Sequence, residues 1–101
     1  LGRGTLRGRT FAEDGRTPLA GTALRITSLT DQSQYAATAD STGAYEVPRV
    51  PVGNVLIEAV NTARPAQVLV SERVPFAGAV VTRDLALLDA VGRTIVVKTG
   101  Q

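Results

Sequence analysis

Short segments in which apolar and polar residues alternate follow one another along the whole chain. Residues 22–29, for example, place Leu24 and Ile26 on one side and Arg25 and Thr27 on the other. A period of two is typical of β-strands with one buried face. The same pattern predicts further strands at residues 5–11, 34–39 (the weakest), 45–47, 54–60, 67–72 and 79–88.

The alternation also predicts which side chains form the core. The predicted inward-facing residues are Leu6, Gly8, Thr10, Leu24, Ile26, Tyr45, Val47, Val55, Ile57, Ala59, Val68, Val70, Val81, Leu85 and Leu87. The pattern leaves the inward face of residues 34–39 open. Arg83 falls on the same face as Val81 and Leu85, and we expect a β-bulge or an edge position there.

Turn-forming residues separate these segments at intervals of roughly ten residues, which is typical of an antiparallel sandwich or barrel. Asp14-Gly15, Val50-Pro51 and Gly53-Asn54 are examples. One helix competes, over residues 85–91, with Asp84 as its cap. Because it would have only about two turns, the strand interpretation is favoured and we predict an all-β sandwich.

Composition narrows the class of protein. The chain has 101 residues, of which 44% are hydrophobic and 20% charged, as expected for one globular domain. Cysteine, histidine, methionine and tryptophan are absent. Disulfides, thiolate or imidazole zinc sites and Ser-His catalysis are therefore excluded. No apolar run approaches the ~20 residues that span a bilayer, so we expect no direct membrane insertion. Because the chain begins with Leu1, we expect a processed protein or a piece of a longer one.

The net charge is +2, and Lys98 is the only lysine among 11 basic residues. An arginine bias fits phosphate recognition, but it also follows from a GC-rich genome, which is the favoured interpretation. Arg3, Arg7, Arg9 and Arg16 lie near the start of the chain. A single-strand nucleic-acid binder also needs aromatic stacking platforms, and the chain has two tyrosines and two phenylalanines. We expect no nucleic-acid partner.

The first of three sequence motifs is Gly8 followed by Asp14-Gly15 and Thr17-Pro18-Leu19-Ala20-Gly21. The second is Ala39-Asp40-Ser41-Thr42-Gly43-Ala44-Tyr45-Glu46-Val47. The third is Val50-Pro51-Val52-Gly53-Asn54-Val55-Leu56-Ile57. In order and spacing these motifs resemble those of the carboxypeptidase regulatory-like domains: the second is similar to that family's T-D-x-x-G-x-F/Y-x-F/V and the third to its V-P-x-G-x-Y-x-L. The resemblance covers residues 5–88, matches poorly over 61–78, and departs from the family at Ala39 and Val55, where the change affects packing.

This resemblance implies a seven-stranded antiparallel Greek-key β-sandwich, transthyretin-like and Ig-like, within a larger secreted or cell-envelope protein. Such modules carry no catalytic residues, so no enzymatic activity and no cofactor are expected. The implied partners are neighbouring domains of the same polypeptide, and the implied role is a structural spacer or accessory unit. The alternative is a carbohydrate- or protein-binding module that acts through exposed loops.

The motif residues are expected to be structural. They are Gly8, Asp14, Gly15, Pro18, Gly21, Asp40, Gly43, Tyr45, Pro51 and Gly53. We expect Asp40 to accept hydrogen bonds from nearby backbone amides in an Asx-type turn. Gly43 is expected to have a positive φ, and Tyr45 to return to the core with its hydroxyl near the surface.

The same turn offers oxygen ligands for calcium from Asp40, Ser41 and Thr42, with Glu46 close behind. A calcium ion takes six to eight oxygens and usually several carboxylates, so a turn without metal is the favoured interpretation. A catalytic carboxylate pair drawn from Glu13-Asp14 and Asp40 is disfavoured because acids in turns normally cap and solvate. A Ser-Lys dyad on Lys98 is disfavoured because this lysine lies in a glycine-flanked tail.

The alternation does not assign the two phenylalanines to a buried or an exposed strand face. Phe76, between Pro75 and Ala77, is the aromatic residue best placed in a loop, and Phe11 is the other unassigned ring. Sugar sites usually present such rings for stacking. Packing is the favoured role for both.

The end of the chain has two interpretations. Val91-Gly92-Arg93 is similar to Leu1-Gly2-Arg3 about ninety residues earlier, as the start of a second module would be. We therefore expect residues 1–90 to be one module and 91–101 a linker or the start of the next. Alternatively, Ile95 and Val97 belong to an extra strand that covers an exposed edge.

Overall fold

Two β-sheets pack face to face in the computed structural model, which describes residues 2–89. In chain order the strands are β1 (Arg3–Phe11), β2 (Ala23–Ser28), β3 (Gln34–Thr38), β4 (Ala44–Pro51), β5 (Gly53–Asn61), β6 (Ala66–Val74), β7 (Val80–Thr82), β8 (Leu85–Ala86) and β9 (Leu88–Asp89). The four-stranded sheet has the order β4-β1-β7, with β8 also paired to β1. The five-stranded sheet has the order β3-β2-β5-β6-β9.

Most neighbouring strands are antiparallel, and residues 2–89 contain no helix. This confirms the predicted all-β sandwich. The pairing is not entirely antiparallel, however, because β7 and β8 run parallel to β1. Within this part of the chain no helix is long and apolar enough for a membrane crossing.

The buried core confirms most of the predicted faces. Leu6, Leu24, Ile26, Tyr45, Val47, Val55, Ile57, Ala59, Leu85 and Leu87 are all buried. Val68, Val70 and Val81 are half-buried and pack against this core. The open question at residues 34–39 is also settled: Tyr35 and Ala37 face inward.

The expected strand at residues 79–88 is divided into three pieces, which gives nine strand segments within residues 2–89 where seven were expected. The division begins at Arg83. A continuous strand would carry its charge into the core, whereas the break lets the guanidinium reach Glu72 at 3.3 Å. Leu87, fully buried, then leads the chain across to the other sheet. Strands occupy residues 85–89 in place of the competing helix, whose last residues lie outside the described part.

Strand β4 is longer than the predicted 45–47 because it continues through Pro48 and Pro51. Its register against β1 shifts beside Thr5, so that Pro48 and Arg49 together face one residue. Arg49 has a φ of 63° within this bulge. Within residues 2–89, β4 pairs with β1 alone, so Pro48 can lack an N–H without leaving a ladder partner unpaired.

The described part of the chain begins and ends at opposite ends of the sandwich. Gly2 accepts a hydrogen bond from the Val52 amide (3.1 Å), whereas Asp89 lies opposite Ala66, at the far end of the strands. We call the end with loops 29–33 and 75–79 the N-terminal pole. The end with loops 12–22, 39–43 and 62–65 is the C-terminal pole.

Candidate functional site

Asp40 organises the turn between β3 and β4. Its Oδ1 accepts hydrogen bonds from the Thr42 amide (2.8 Å), the Thr42 hydroxyl (2.7 Å) and the Ala44 amide (3.1 Å). These bonds, that of the Thr42 hydroxyl first, hold the pKa of Asp40 below its usual range. The carboxylate is therefore engaged in the turn. Within residues 2–89, no group of three or more acidic side chains is placed to hold a metal ion.

Gly43, in the same turn, joins it to the middle of the molecule. Its φ is 82°, as expected, and its carbonyl accepts the Thr10 amide at 2.8 Å. A Cβ at this position would lie 2.6 Å from the carbonyl oxygen of Thr10. That same oxygen accepts the Leu19 amide at 2.9 Å, so Gly43 allows two loops and β1 to meet.

A buried polar cluster beneath the C-terminal pole was not predicted. The Asn61 amide donates to the Thr22 hydroxyl (3.0 Å) and to the Ala20 carbonyl (3.1 Å), and the Thr22 hydroxyl donates to Leu19 (2.8 Å). The Thr10 hydroxyl lies 2.9 Å from the Leu19 carbonyl. The alternation in β5 could have predicted the burial of Asn61, because this residue follows Val55, Ile57 and Ala59 on the inward face of the strand. Among the described residues, no buried side-chain polar atom lacks a partner.

Tyr45 and Gly8 hold the interrupted strand against the core. The buried Tyr45 hydroxyl donates to the Arg83 carbonyl at 2.6 Å, and burial raises the Tyr45 pKa to about 12. A Cβ on Gly8 would collide with that same carbonyl oxygen. Gly8 therefore permits the close approach that the tyrosine hydrogen bond needs.

The remaining motif residues lie in turns at the two poles. At the C-terminal pole, Asp14 accepts the Thr17 amide (3.0 Å) and the Arg16 amide (2.8 Å), which together with the Thr17 hydroxyl lower its pKa to about 2. Gly15 (φ 73°), Pro18, which bridges to Phe11, and Gly21 (φ 76°) also lie there. At the N-terminal pole, buried Pro51 ends β4 opposite Arg3, and Gly53 (φ 124°) starts β5. Gly8, Asp40 and Tyr45 line one groove on the four-stranded sheet, whereas the other motif residues lie apart from it and shape loops.

An open groove of about 640 Å³ crosses the outer face of the four-stranded sheet. Arg7 lies between Glu46 on β4 and Thr82 on β7. The Arg9 guanidinium lies 5.5 Å from the centre of the Phe11 ring and covers it, so this ring offers no free face there. Asp40, also in the lining, has a lowered pKa and stays ionised, whereas a general acid needs a raised one.

Two exposed apolar side chains lie in loops of the N-terminal pole. The Phe76 side chain is 64% exposed and Leu29 45% exposed. Beside them, Gly2, Arg3, Thr30, Asp31, Pro51 and Val52 line a cavity of about 280 Å³. The Arg3 guanidinium donates to the Tyr35 hydroxyl and to the Arg49 carbonyl, both at 3.0 Å. Arg3 is therefore held by its own module, while Phe76 is presented to solvent.

The arginines near the start of the chain have separate surroundings. Arg3 lies at the N-terminal pole, Arg7 and Arg9 on the outer face of β1, and Arg16 in the loop at the C-terminal pole. The Arg9 guanidinium donates to the Thr42 carbonyl at 3.1 Å. Lys98, the base of the disfavoured dyad, lies outside the described residues.

These two sheets, packed around one apolar core, define a β-sandwich domain. No family model matches the sequence, and no curated protein matches it. Solved structures are similar in fold. The Bacillus anthracis TIE protein has a TM-score of 0.69 at 13% identity over 87% of this chain and 18% of that protein.

Two further structures share the sandwich. BcpA, the major pilin subunit of Bacillus cereus, has a TM-score of 0.64 at 8% identity over 88% of this chain and 31% of that protein. A proposed carbohydrate-binding protein from Bacteroides uniformis has a TM-score of 0.65 at 12% identity over 88% of this chain and 43% of that protein. At such identities the similarity shows the fold alone. In each case the chain corresponds to less than half of the longer protein.

Proposed function

We propose that this chain is a non-catalytic structural module of a larger secreted or cell-surface protein, in which it spaces neighbouring domains. The proposal rests on the course of residues 2–89, which begin at the N-terminal pole and end at the C-terminal pole. Strands of nine residues separate the poles by about 30 Å. A module of this geometry lengthens the polypeptide in one direction, as a spacer requires.

The parallel pairing of β1 with β7 and β8, two strands near the end of the described chain, supports a role in resisting tension. β1 is held in parallel by β7 and β8, through the Thr5 amide to Ala79 (2.8 Å), the Arg83 amide to Arg7 (2.7 Å) and the Leu87 amide to Phe11 (2.8 Å). Tension applied at the two poles pulls these parallel strands past each other. All of these hydrogen bonds then resist together, instead of opening one after another.

We further propose that the module is a carboxypeptidase regulatory-like domain with a Greek-key, transthyretin-like sandwich. The Asp40–Gly43 turn and the Tyr45 hydrogen bond support this assignment, because they have the geometry expected from the family motif. In this assignment β7, β8 and β9 together are the seventh strand. The similarity to parts of larger bacterial surface-type proteins supports a position outside the cytoplasm.

Small-angle X-ray scattering tests the spacer function. Chains of one, two and three modules are compared, each built by repeating residues 1–90 and ending with residues 1–101. We expect the maximum dimension to increase by about 30 Å or more with each module. A matched series with flexible Gly-Ser linkers should give broader distance distributions. Modules packed side by side in a compact particle would contradict the proposal.

A binding role through exposed loops is the second candidate. It is favoured by the exposed Phe76 ring and by the fold shared with a proposed carbohydrate-binding protein. A glycan array compares the unmodified chain with Phe76→Ala and with Leu69→Ala, whose side chain is also 64% exposed but lies on the outer face of β6. Binding lost only in Phe76→Ala supports this role. Absence of binding to any glycan contradicts it for carbohydrates.

A further inference from the structure

We infer that consecutive modules dock pole to pole, with Phe76 and Leu29 of the following module buried against the C-terminal pole of the preceding one. The inference rests on the proposed spacer function and specifies its partner, a second module of the same kind. Four observations carry it: the similarity of residues 91–93 to residues 1–3, the short connection, the charges of the poles and the exposed apolar side chains.

The sequence places the next module close by. If Val91-Gly92-Arg93 begins a second copy as Leu1-Gly2-Arg3 begins this one, Arg93 takes the position of Arg3. Four residue steps then join Asp89, the end of β9, to the first residue of the next β1. Four steps reach at most about 14 Å. The loops of the two facing poles cannot stay apart over that distance.

Gly2, at the start of the module, allows the chain to pass close to the N-terminal pole. A Cβ on Gly2 would lie 2.7 Å from the Ala77 Cβ and 3.1 Å from the Val52 side chain. The polypeptide therefore enters directly against the loop that carries Phe76. Gly92 corresponds to Gly2 when residues 91–93 are aligned with residues 1–3. A chain that enters past this glycine brings the preceding module next to the Phe76 ring.

The facing poles carry opposite charges. The N-terminal pole has Arg3, Arg49 and Arg73 with Asp31. The C-terminal pole has Glu13, Asp14, Asp40 and Asp89 with Arg16 and Arg64. Within a Debye length of about 10 Å, such poles attract each other. The same charges disfavour docking of two like poles.

The apolar side chains mark the centre of the contact. Phe76 is 64% exposed and Leu29 45% exposed, and both lie in loops of the N-terminal pole. Large exposed apolar side chains surrounded by charged residues are typical of an interaction surface. Docking against a second module removes both from water.

A two-module chain, residues 1–90 followed by residues 1–101, allows a test with an internal control. Phe76 of the second copy faces the junction, whereas Phe76 of the first copy faces solvent. We expect Phe76→Ala in the second copy to lower the thermal midpoint by about 2–4 °C or more. The same substitution in the first copy, and in the single 101-residue chain, should change the midpoint much less. Raising the salt concentration should reduce the difference between the two copies.

Equal effects in the two copies would overturn the docking. If the two-module chain were still extended in small-angle scattering, the spacer function would be kept and only the docking would be wrong. If its two modules were packed side by side in a compact particle, the spacer function and the docking would both be wrong. A Phe76→Ala effect confined to glycan binding would also overturn the docking and favour the second candidate function.

Discussion

Replacement of Gly43 tests the turn on which the arrangement of loops depends. Gly43 has a φ of 82° and lies against the backbone of β1, whereas Gly15 has a similar φ of 73° with no atom near its missing Cβ. Alanine at either position adopts an unfavourable φ at a cost of roughly 1–2 kcal/mol. Restriction of the unfolded chain offsets about 0.4–1 kcal/mol of this cost. Gly15→Ala should therefore destabilise by about 1 kcal/mol or less.

Gly43→Ala has a further cost. Its Cβ would lie 2.6 Å from the Thr10 carbonyl, so β1 and the turn must separate. The separation disturbs the bonds from the Thr10 amide to Gly43 and from the Leu19 amide to Thr10. Each is worth about 0.5–1.5 kcal/mol net, which brings the expected loss to about 3 kcal/mol.

Urea unfolding followed by circular dichroism measures both variants. Asparagine separates the two causes, because it tolerates a positive φ but retains a Cβ. We expect Gly15→Asn to be nearly neutral and Gly43→Asn to remain strongly destabilised. Equal midpoints for Gly43→Ala and Gly15→Ala would refute the proposed contact with β1.

Three further predictions follow from the hydrogen bonds and the turn. Tyr45→Phe removes the bond to the Arg83 carbonyl and should lower the free energy of unfolding by about 1 kcal/mol in urea titrations; no change would show that the bond contributes nothing. The lowered pKa values of Asp14 and Asp40 stabilise the fold above their unfolded value of 3.8, and this contribution is lost as the pH falls from about 4 towards 2. The thermal midpoint should therefore be flat between pH 5 and 8, and a marked decrease from pH 7 to 5 would contradict this origin. EDTA should leave the midpoint unchanged, because a turn that binds no metal has no ligand to lose, and a decrease of several degrees would restore the calcium interpretation.

The periodicity predicted the core faces because most strands have one buried and one wet side. In β5, Val55 and Ile57 are buried while Glu58 between them faces solvent. The motif spacing likewise predicted the positive φ of Gly43, since a tight turn there requires it. The local alternation was sufficient to predict the buried face wherever a strand is regular and covered by the facing sheet.

Long-range partners explain what the sequence could not predict. The break after β7 depends on Glu72, a residue of β6 that the pattern of 79–88 does not contain. The continuation of β4 through Pro48 depends on its position at a sheet edge. The polar cluster needs Asn61, at the end of β5, to contact Thr22, just before the start of β2. In each case the deciding contact joins residues that are distant in sequence.

The central claim is that residues 1–90 form a complete module through which the chain passes from pole to pole. Deletion of residues 91–101 tests it most directly, with the free energy of unfolding measured in urea beside the full chain. We expect a loss below about 1 kcal/mol, together with rapid hydrogen exchange at Ile95 and Val97 in the full chain. Slow exchange at these amides, or failure of the shortened chain to fold, would show that residues 91–101 are an integral strand of this sandwich.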